Sequence, residues 1–227
     1  SLDPDRLALY HYAHLPHIFK PQRRIDTDAV PGSEEKLDML QYCVQTLTRR
    51  GYVFIGMDHF AKPDDELSVA LREGLLQRNF QGYSTYADCD LVAIGVSSIG
   101  KIGSTYSQNE RNIDDYYAAI DAGHLPVMRG YQLNQDDLLR RTVIQDLMCR
   151  FALDYRAYES VFGIPFGHYF KEELADLQQL AELGLVRLSS HGLKVTPKGR
   201  FLIRNIAMVF DYHLRHKETK AKYSQTV

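Results

Sequence analysis

The sequence predicts an α/β fold in two parts, with alternating strands and helices over residues 1–134 and a mostly helical part over residues 135–227. In the first part, three apolar, strand-like runs alternate with segments whose apolar residues recur at helical spacing. In the second part, such helical segments follow one another and are interrupted by one small hairpin. The composition, 44% hydrophobic and 25% charged, is typical of a globular protein with a sizeable core.

The apolar runs predict strands at residues 7–12, 52–57 and 91–96. Helices are predicted from Ser33, as N-cap, to Gly51, from residue 64 to about residue 78, and over residues 112–122. Alternation of strands and helices is the signature of parallel β/α units, and three units are too few to close a barrel. We therefore expect the remaining units upstream.

The carboxyl ends of parallel strands form the edge at which active sites gather in such sheets. This rule places residues 12–14, 58–59 and 97–99 together on one predicted rim. The sequence therefore directs the search for function to that rim.

The second part is predicted to contain a helix with the stripe Leu139, Val143, Leu147 and Phe151, and two more helices over residues 155–162 and 168–184. A hairpin around residues 190–192 follows, and Thr196 and Pro197 begin a last helix that runs towards the tail. Three helices, a hairpin and a final helix resemble a winged helix. The third helix carries one lysine against four acidic residues, so we predict a covering or packing domain and no binding of nucleic acid.

Net charge, apolar runs and cysteine spacing argue against several classes of function. The net charge of −2 gives no bulk attraction to polyanions, and no apolar run approaches the roughly 20 residues of a membrane-spanning helix. Cys43, Cys89 and Cys149 lie far apart, which argues against a disulfide framework and against a metal site. We expect a protein of the reducing cytoplasm that binds no membrane.

Several motifs carry a family resemblance. They are GMDHF at residues 56–60, RNFQGY at 78–83, GVSSI at 95–99, YAHLP at 12–16 and KGRFLIRNI at 198–206. Taken in their order along the chain, they resemble the oxygen-independent coproporphyrinogen III oxidases, radical S-adenosylmethionine (SAM) enzymes of haem biosynthesis. The resemblance covers almost the whole chain and implies the carboxyl-terminal part of an incomplete TIM-like barrel of six β/α units, followed by a mostly helical domain that covers the active site.

The resemblance also implies roles for individual residues. It places Ala13, Phe80, Gln81 and Ile99 in a SAM pocket. The family reaction oxidatively decarboxylates two propionates of coproporphyrinogen III to vinyl groups, which yields protoporphyrinogen IX. We expect His59 and Arg204 to help hold the substrate carboxylates, and we assign no catalytic residue to this chain.

The family's cluster-binding Cys-x3-Cys-x2-Cys loop does not occur in the sequence, which also begins without Met. We therefore expect the carboxyl-terminal half of a monomeric parent enzyme, inactive alone, which needs the amino-terminal half of the barrel to bind the 4Fe-4S cluster. Two alternatives are open: a fragment of a related radical-SAM-like haem chaperone, and a non-catalytic winged-helix interaction module.

Overall fold

A computed structural model describes residues 2–86 and 89–216, so the end of the predicted tail, residues 217–227, lies outside the described residues. The strands are β1 (Arg6–Ala8), β2 (Val53–Gly56), β3 (His59–Ala61), β4 (Gln77–Asn79), β5 (Gly82–Ser84), β6 (Ile99–Ile102), β7 (Thr105–Asn109), β8 (Val127–Gln132), β9 (Ala152–Asp154), β10 (Val186–Ser189) and β11 (Gly192–Val195). The helices are α1 (Ser33–Arg49), α2 (Glu66–Glu73), α3 (Ile113–Asp121), α4 (Gln135–Arg150), α5 (Tyr155–Phe162), α6 (Phe166–Tyr169), α7 (Lys171–Glu182), α8 (Pro197–Arg200), α9 (Ile203–Met208) and α10 (Tyr212–Arg215). Two short 3₁₀ helices, Lys20–Arg24 and Thr27–Ala29, precede α1.

The strands form small antiparallel sheets. Their orders are β1-β3-β2, β4-β5, β6-β7-β8 and β10-β11-β9, and each of these pairings is antiparallel. The predicted parallel β/α units, and the rim derived from them, are therefore wrong for the described residues. The cause is local: β2 turns back through Met57 and Asp58 and pairs at once with β3, as a two-residue hairpin does.

The predicted strand at residues 91–96 is also wrong. This segment is a loop, and its one bridge to another described residue joins Leu91 to Lys101. The side chain of Asn109 donates hydrogen bonds to the carbonyls of Ala93 and Gly95, in place of a strand partner. Ile94 is 83% exposed, so the apolar character of this run does not reflect burial in the described residues.

The predicted helices agree with the structure better than the predicted strands do, because capping residues determine where helices begin and end. Helices α1, α3 and α5 lie where the sequence predicts them, although Gly32 rather than Ser33 is the N-cap of α1. Helix α2 ends at Glu73, before the predicted residue 78, because Gly74 adopts the left-handed conformation of a C-cap. The predicted helix at residues 168–184 divides into α6 and α7, and the predicted last helix divides into α8, α9 and α10. The predicted hairpin is present as β10 and β11.

One hydrophobic cluster contains side chains from both sides of residue 134. It includes Ile55 and Tyr83 from the first part and Leu147 and Ile206 from the second. The predicted stripe of α4 is confirmed in its helical part, since Leu139, Val143 and Leu147 are buried. The division of the chain into two domains at residue 134 stays a prediction.

Arg200 joins the two parts through its half-buried side chain. Its Nη2 donates to the carbonyl oxygens of Phe54, at 2.8 Å, and Ile55, at 3.1 Å. The guanidinium carbon lies 4.3 Å from the centre of the Phe151 ring and 5.3 Å from that of Phe54. Burial lowers the pKa of Arg200, although an arginine guanidinium stays charged at neutral pH.

Gly199 allows α8 to lie against the strand residues that precede it, and this contact gives a test of the fold. A Cβ at Gly199 would contact the carbonyl oxygen of Leu185 and lie 2.9 Å from Cγ1 of Val195. We expect Gly199→Ala to lower the free energy of unfolding by about 1 to 3 kcal/mol, because backbone must move to relieve the overlap. Denaturant unfolding measures this change. Gly167→Ala in α6 is the matched control, because a Cβ there has no neighbour within 4 Å, and an equal effect of both variants would contradict the prediction.

Candidate functional site

A cleft of about 1000 Å³ lies between the two parts of the chain. Its walls come from the β4–β5 hairpin, strands β6 to β8, one face of α4, and α9 and α10. The charged side chains that line it are Arg78, Lys101, Arg140, Arg141, Arg150, Arg204, Asp90, Asp137, Asp146 and Asp211. This volume is at the upper end of what small-molecule sites offer, so the cleft is the candidate binding site.

The RNFQGY motif forms the β4–β5 hairpin at one side of the cleft. Asn79 pairs with Gly82, so Phe80 and Gln81 are the two turn residues. The Asn79 side chain accepts a hydrogen bond of 2.8 Å from the Gln81 amide and so fixes the turn. The Phe80 ring is 55% exposed and meets the ring of Tyr106 edge to face, with 5.4 Å between their centres. The turn therefore presents an aromatic face and an amide to the solvent beside the cleft.

Tyr83 anchors this hairpin in the core. Its hydroxyl donates to the carbonyl oxygen of Met148 at 3.0 Å, and burial raises the pKa of the phenol. The guanidinium of Arg78 lies 5.4 Å from the centre of the Tyr83 ring. The hairpin is thereby fixed to α4.

His59 lies next to the hairpin and not at the end of a parallel strand. Its Nδ1 is 2.6 Å from Oδ1 of Asp58, and its side chain is only 16% exposed. The Nε2 atom faces Gly82, where a Cβ would lie 3.0 Å away. Glycine at this position therefore lets the imidazole approach the turn that carries Phe80 and Gln81.

The structure brings some of the predicted site residues together. Phe80 and Arg204 line the cleft. Ile99 lies on β6, two residues before Lys101, which pairs with Tyr106. Ile99, Lys101 and Tyr106 therefore share one sheet face, and Phe80 packs against it.

Ala13 is the exception among the predicted SAM residues. It lies in the exposed loop after β1, where its carbonyl accepts a hydrogen bond from Gln22. The same loop is held near His59, because the Leu9 amide donates to the Asp58 carbonyl and the Tyr10 ring packs edge to face on His59. Within the described residues, no hydrogen bond joins Ala13 to Phe80, Gln81 or Ile99.

A polar cluster that the sequence did not reveal also lines the cleft, beside strand β8. The Asp137 carboxylate accepts hydrogen bonds from Nε2 of His213 at 2.8 Å, the Tyr131 hydroxyl at 3.1 Å and the Asn134 amide at 3.1 Å. Burial alone would raise the pKa of Asp137, but these donors outweigh burial and the pKa lies below its ordinary value. The only sequence signal is local: Asn134 and Asp137 have the three-residue spacing of a capping box.

The cations of the cleft fall into two groups. Arg140 pairs with Asp136 and Glu173, and Arg150 pairs with Asp146. Among the described residues, four cations have no carboxylate partner within salt-bridge distance: Arg78, Lys101, Arg141 and Arg204. The Arg78 guanidinium lies against the Tyr83 ring, and Arg141 makes only a 3.4 Å contact to the Gly103 carbonyl. The cleft thus has cationic groups available for an anionic ligand.

In residues 2–86 and 89–216, no three or more His, Cys, Asp or Glu side chains are arranged so that they could hold a metal ion. No helix there has both the length and the apolar character needed to cross a membrane.

Comparison with known proteins identifies the family. The family model described as the HemN C-terminal domain matches residues 133–202. Oxygen-independent coproporphyrinogen III oxidase from Thermostichus vulcanus is 48% identical over 217 residues, which are 95% of this chain and 67% of that protein. The chain belongs to the oxygen-independent coproporphyrinogen III oxidase family.

Other members of this oxidase family match over the same region. The Salmonella typhimurium oxidase is 50% identical over all 227 residues of the chain and 50% of its own length. The solved structure of the Escherichia coli coproporphyrinogen III oxidase, described as a radical SAM enzyme, superposes with a TM-score of 0.89 at 50% identity, covering 93% of this chain and 49% of that one. The chain therefore spans about half the length of the Salmonella oxidase, and the family resemblance of its motifs is confirmed.

Asp137 gives a test of the polar cluster in this oxidase-family chain. We expect Asp137→Asn to lower the free energy of unfolding by about 1 kcal/mol at pH 7, because the capping box and the bond to His213 lose a charged acceptor. Since the folded-state pKa lies below 3.8, this stabilisation is present above pH 3.8 and disappears as the pH falls through the folded-state pKa. Denaturant unfolding from pH 7 to pH 2 measures it. The exposed Asp38→Asn is the control, and a difference that persists in acid would refute the assignment.

Proposed function

We propose that the chain forms the carboxyl-terminal half of a radical SAM enzyme that oxidatively decarboxylates two propionates of coproporphyrinogen III to vinyl groups. The main support for this proposal is the match of the entire chain to the Salmonella typhimurium oxidase at 50% identity. The cleft supports it, because its size and unpaired cations suit a large polycarboxylate. The half of the relatives that this chain does not cover would supply the ligands of a 4Fe-4S cluster.

In this proposal, Ala13, Phe80, Gln81 and Ile99 contribute to a SAM pocket. The exposed Phe80 ring offers a stacking surface for adenine, and the Gln81 side chain has both a donor and an acceptor for its edge. Bound SAM would supply the radical that removes hydrogen from a propionate β-carbon, after which carbon dioxide and one electron, taken up by an acceptor, leave the substrate. The residues of this chain would position the reactants and exclude water.

Arg204 and His59 are proposed to help hold the substrate carboxylates. Arg204 is exposed on α9 and lines the cleft without a carboxylate partner among the described residues. His59 is more enclosed, and Asp58 orients its ring so that Nε2 faces the turn containing Phe80. Charge-assisted hydrogen bonds from these groups would favour a carboxylate over an ester or amide.

The proposal extends to the fold. The missing amino-terminal half would build an incomplete TIM-like barrel, against which residues 1–134 would pack, since their own described strands pair antiparallel. Residues 135–227 would form a winged-helix-like cover. The order β10-β11-β9 beside α5, α6 and α7 supports the second assignment. The acidic face of α7 supports a packing role without nucleic acid. A monomeric, cytoplasmic parent completes the proposal.

The enzymatic role is tested with a full-length enzyme that carries this chain. Under anaerobic conditions, with the cluster restored, coproporphyrinogen III, SAM and an electron donor should give vinyl-bearing product, measured by chromatography. We expect Phe80→Ala to raise the KM for SAM about tenfold, because base stacking on an aromatic ring contributes about 1 to 3 kcal/mol. Leu183→Ala, which is also exposed, is the control. Tight haem binding without product would overturn the oxidase in favour of the haem-chaperone alternative.

Arg204 and His59 require a separate measurement in the same enzyme. We expect Arg204→Glu and His59→Gln each to raise the KM for coproporphyrinogen III about tenfold, the effect of losing one charge-assisted hydrogen bond. The KM for SAM should stay constant. Arg187→Glu on the exposed side of β10 serves as the control. Unchanged substrate kinetics in either variant would discard that residue's role.

A further inference from the structure

His213 occupies an unusual position in the wall of the cleft, next to Tyr131 of β8. It lies on α10, lines the cleft, and its side chain is 51% exposed. Its Nε2 bonds to the Asp137 carboxylate at 2.8 Å, and the Asp137 side chain is only 6% exposed. The imidazole is therefore oriented by a buried carboxylate while part of the ring faces the cleft.

The other ring nitrogen, Nδ1, has no hydrogen-bond partner among the described residues. With Nε2–H donated to Asp137, Nδ1 accepts when the ring is neutral and donates when the ring is protonated. In the protonated ring, Nδ1–H would donate a hydrogen bond to a carboxylate bound in the cleft. This arrangement is suited to an anionic partner.

Arg141 lies on the same face of α4 as Asp137, one helical turn further on. Residues four apart on a helix are neighbours, with about 5 to 6 Å between their Cβ atoms. Arg141 lines the cleft, and its guanidinium has no carboxylate partner within the described ranges. The acidic cleft residues Asp90 and Asp211 instead accept bonds from backbone amides, of Gly103 and Leu214 respectively.

We propose that His213, oriented by Asp137, and Arg141 form a subsite for one carboxylate of a polycarboxylate ligand bound in the cleft. The identity of that ligand as the tetrapyrrole rests on the proposed function, whereas the carboxylate chemistry follows from the side chains. Tyr131 is a positioning residue in this subsite, because its hydroxyl donates to Asp137 and its ring packs edge to face against His213. His213 and Arg141 bind the carboxylate directly.

The test uses coproporphyrin III, the fluorescent oxidised tetracarboxylate, with the full 227-residue chain. We expect His213→Gln and Arg141→Gln each to weaken its binding about tenfold at pH 6.5. The double variant should weaken binding by clearly less than the product of the single effects, because both groups hold the same carboxylate. His191→Gln and Arg156→Gln, both exposed and outside the cleft, are the matched controls.

The neutral tetraamide of coproporphyrin III separates carboxylate recognition from packing. It should bind the wild type and the variants equally. Equal losses for the tetraamide and the acid, or single effects that multiply in the double variant, would overturn the shared subsite. Thermal unfolding of each variant verifies that the fold is retained.

The pH dependence gives a second readout. The titratable or charged groups that contact the His213 ring or line the cleft beside it are Tyr131 from β8, Asp137 and Arg141 from α4, and Tyr212 from α10. Affinity for the acid should fall as the pH rises through the histidine range, from about pH 5 to 8, and His213→Gln should reduce this fall. An unchanged pH profile in His213→Gln would contradict the subsite.

The outcomes distinguish this proposal from the enzymatic one. If the full-length enzyme forms no vinyl product while the variants still show carboxylate-specific losses, the proposed function fails and the subsite stands. If vinyl product forms with an unchanged substrate KM in His213→Gln and Arg141→Gln, the subsite fails and the proposed function stands.

Discussion

The half-buried guanidinium of Arg200 is the interaction on which the relation between the two parts of the chain depends. It has no carboxylate partner among the described residues, yet withdrawing a charge from water is costly unless it is compensated. Partial compensation comes from the carbonyl dipoles of Phe54 and Ile55 and from the face of the Phe151 ring, whereas Nε has no hydrogen-bond partner among the described residues. These partners belong to β2 and to the end of α4, so the charge gains them only when both parts are in place.

The contacts of Arg200 also help to position the candidate site, because the segments that Arg200 contacts continue into it. Strand β2 continues into the turn of Met57 and Asp58, and Asp58 orients His59 against Gly82. On the other side, the hydroxyl of Tyr83 bonds to the Met148 carbonyl on α4. The turn with Phe80 and Gln81 is therefore held from both parts, although its own residues are exposed. A rigid support with an exposed tip is what a binding turn needs, because little order must be gained when a ligand arrives.

The sequence predicts the helices better than the strands for a physical reason. A helix is a local structure, so caps such as Asn112 and Asp154 and stop signals such as Gly74 specify it within a few residues. The direction of strand pairing depends on partners that periodicity does not reveal, and the parallel sheet was therefore wrong. The run at residues 91–96 also could not be predicted from its own residues. Two of its carbonyls accept hydrogen bonds from the side chain of Asn109, which lies more than a dozen residues further along the chain. Of the cleft residues, the resemblance predicted Phe80 as a site residue and the carboxylate hypothesis predicted Arg204. His213 and Asp137 meet across 76 residues and leave only a local capping signal.

Helix α4 explains how one segment serves both the core and the cleft. Leu139, Val143 and Leu147 face the core, while Asp137, Arg141 and Gln145 recur four residues apart along the cleft. A helix with an apolar face and a polar face usually presents the polar one to open solvent, but here that face is enclosed by the β4–β5 hairpin and α10. The Gln145 side-chain amide donates to the Arg78 carbonyl and so holds the β4–β5 hairpin against α4. Asp137 holds α10 against α4 through its bond to His213. Because the same side chains that bind the neighbouring elements also line the cleft, the shape of the cleft is determined by the packing of α4 and does not need a ligand to create it.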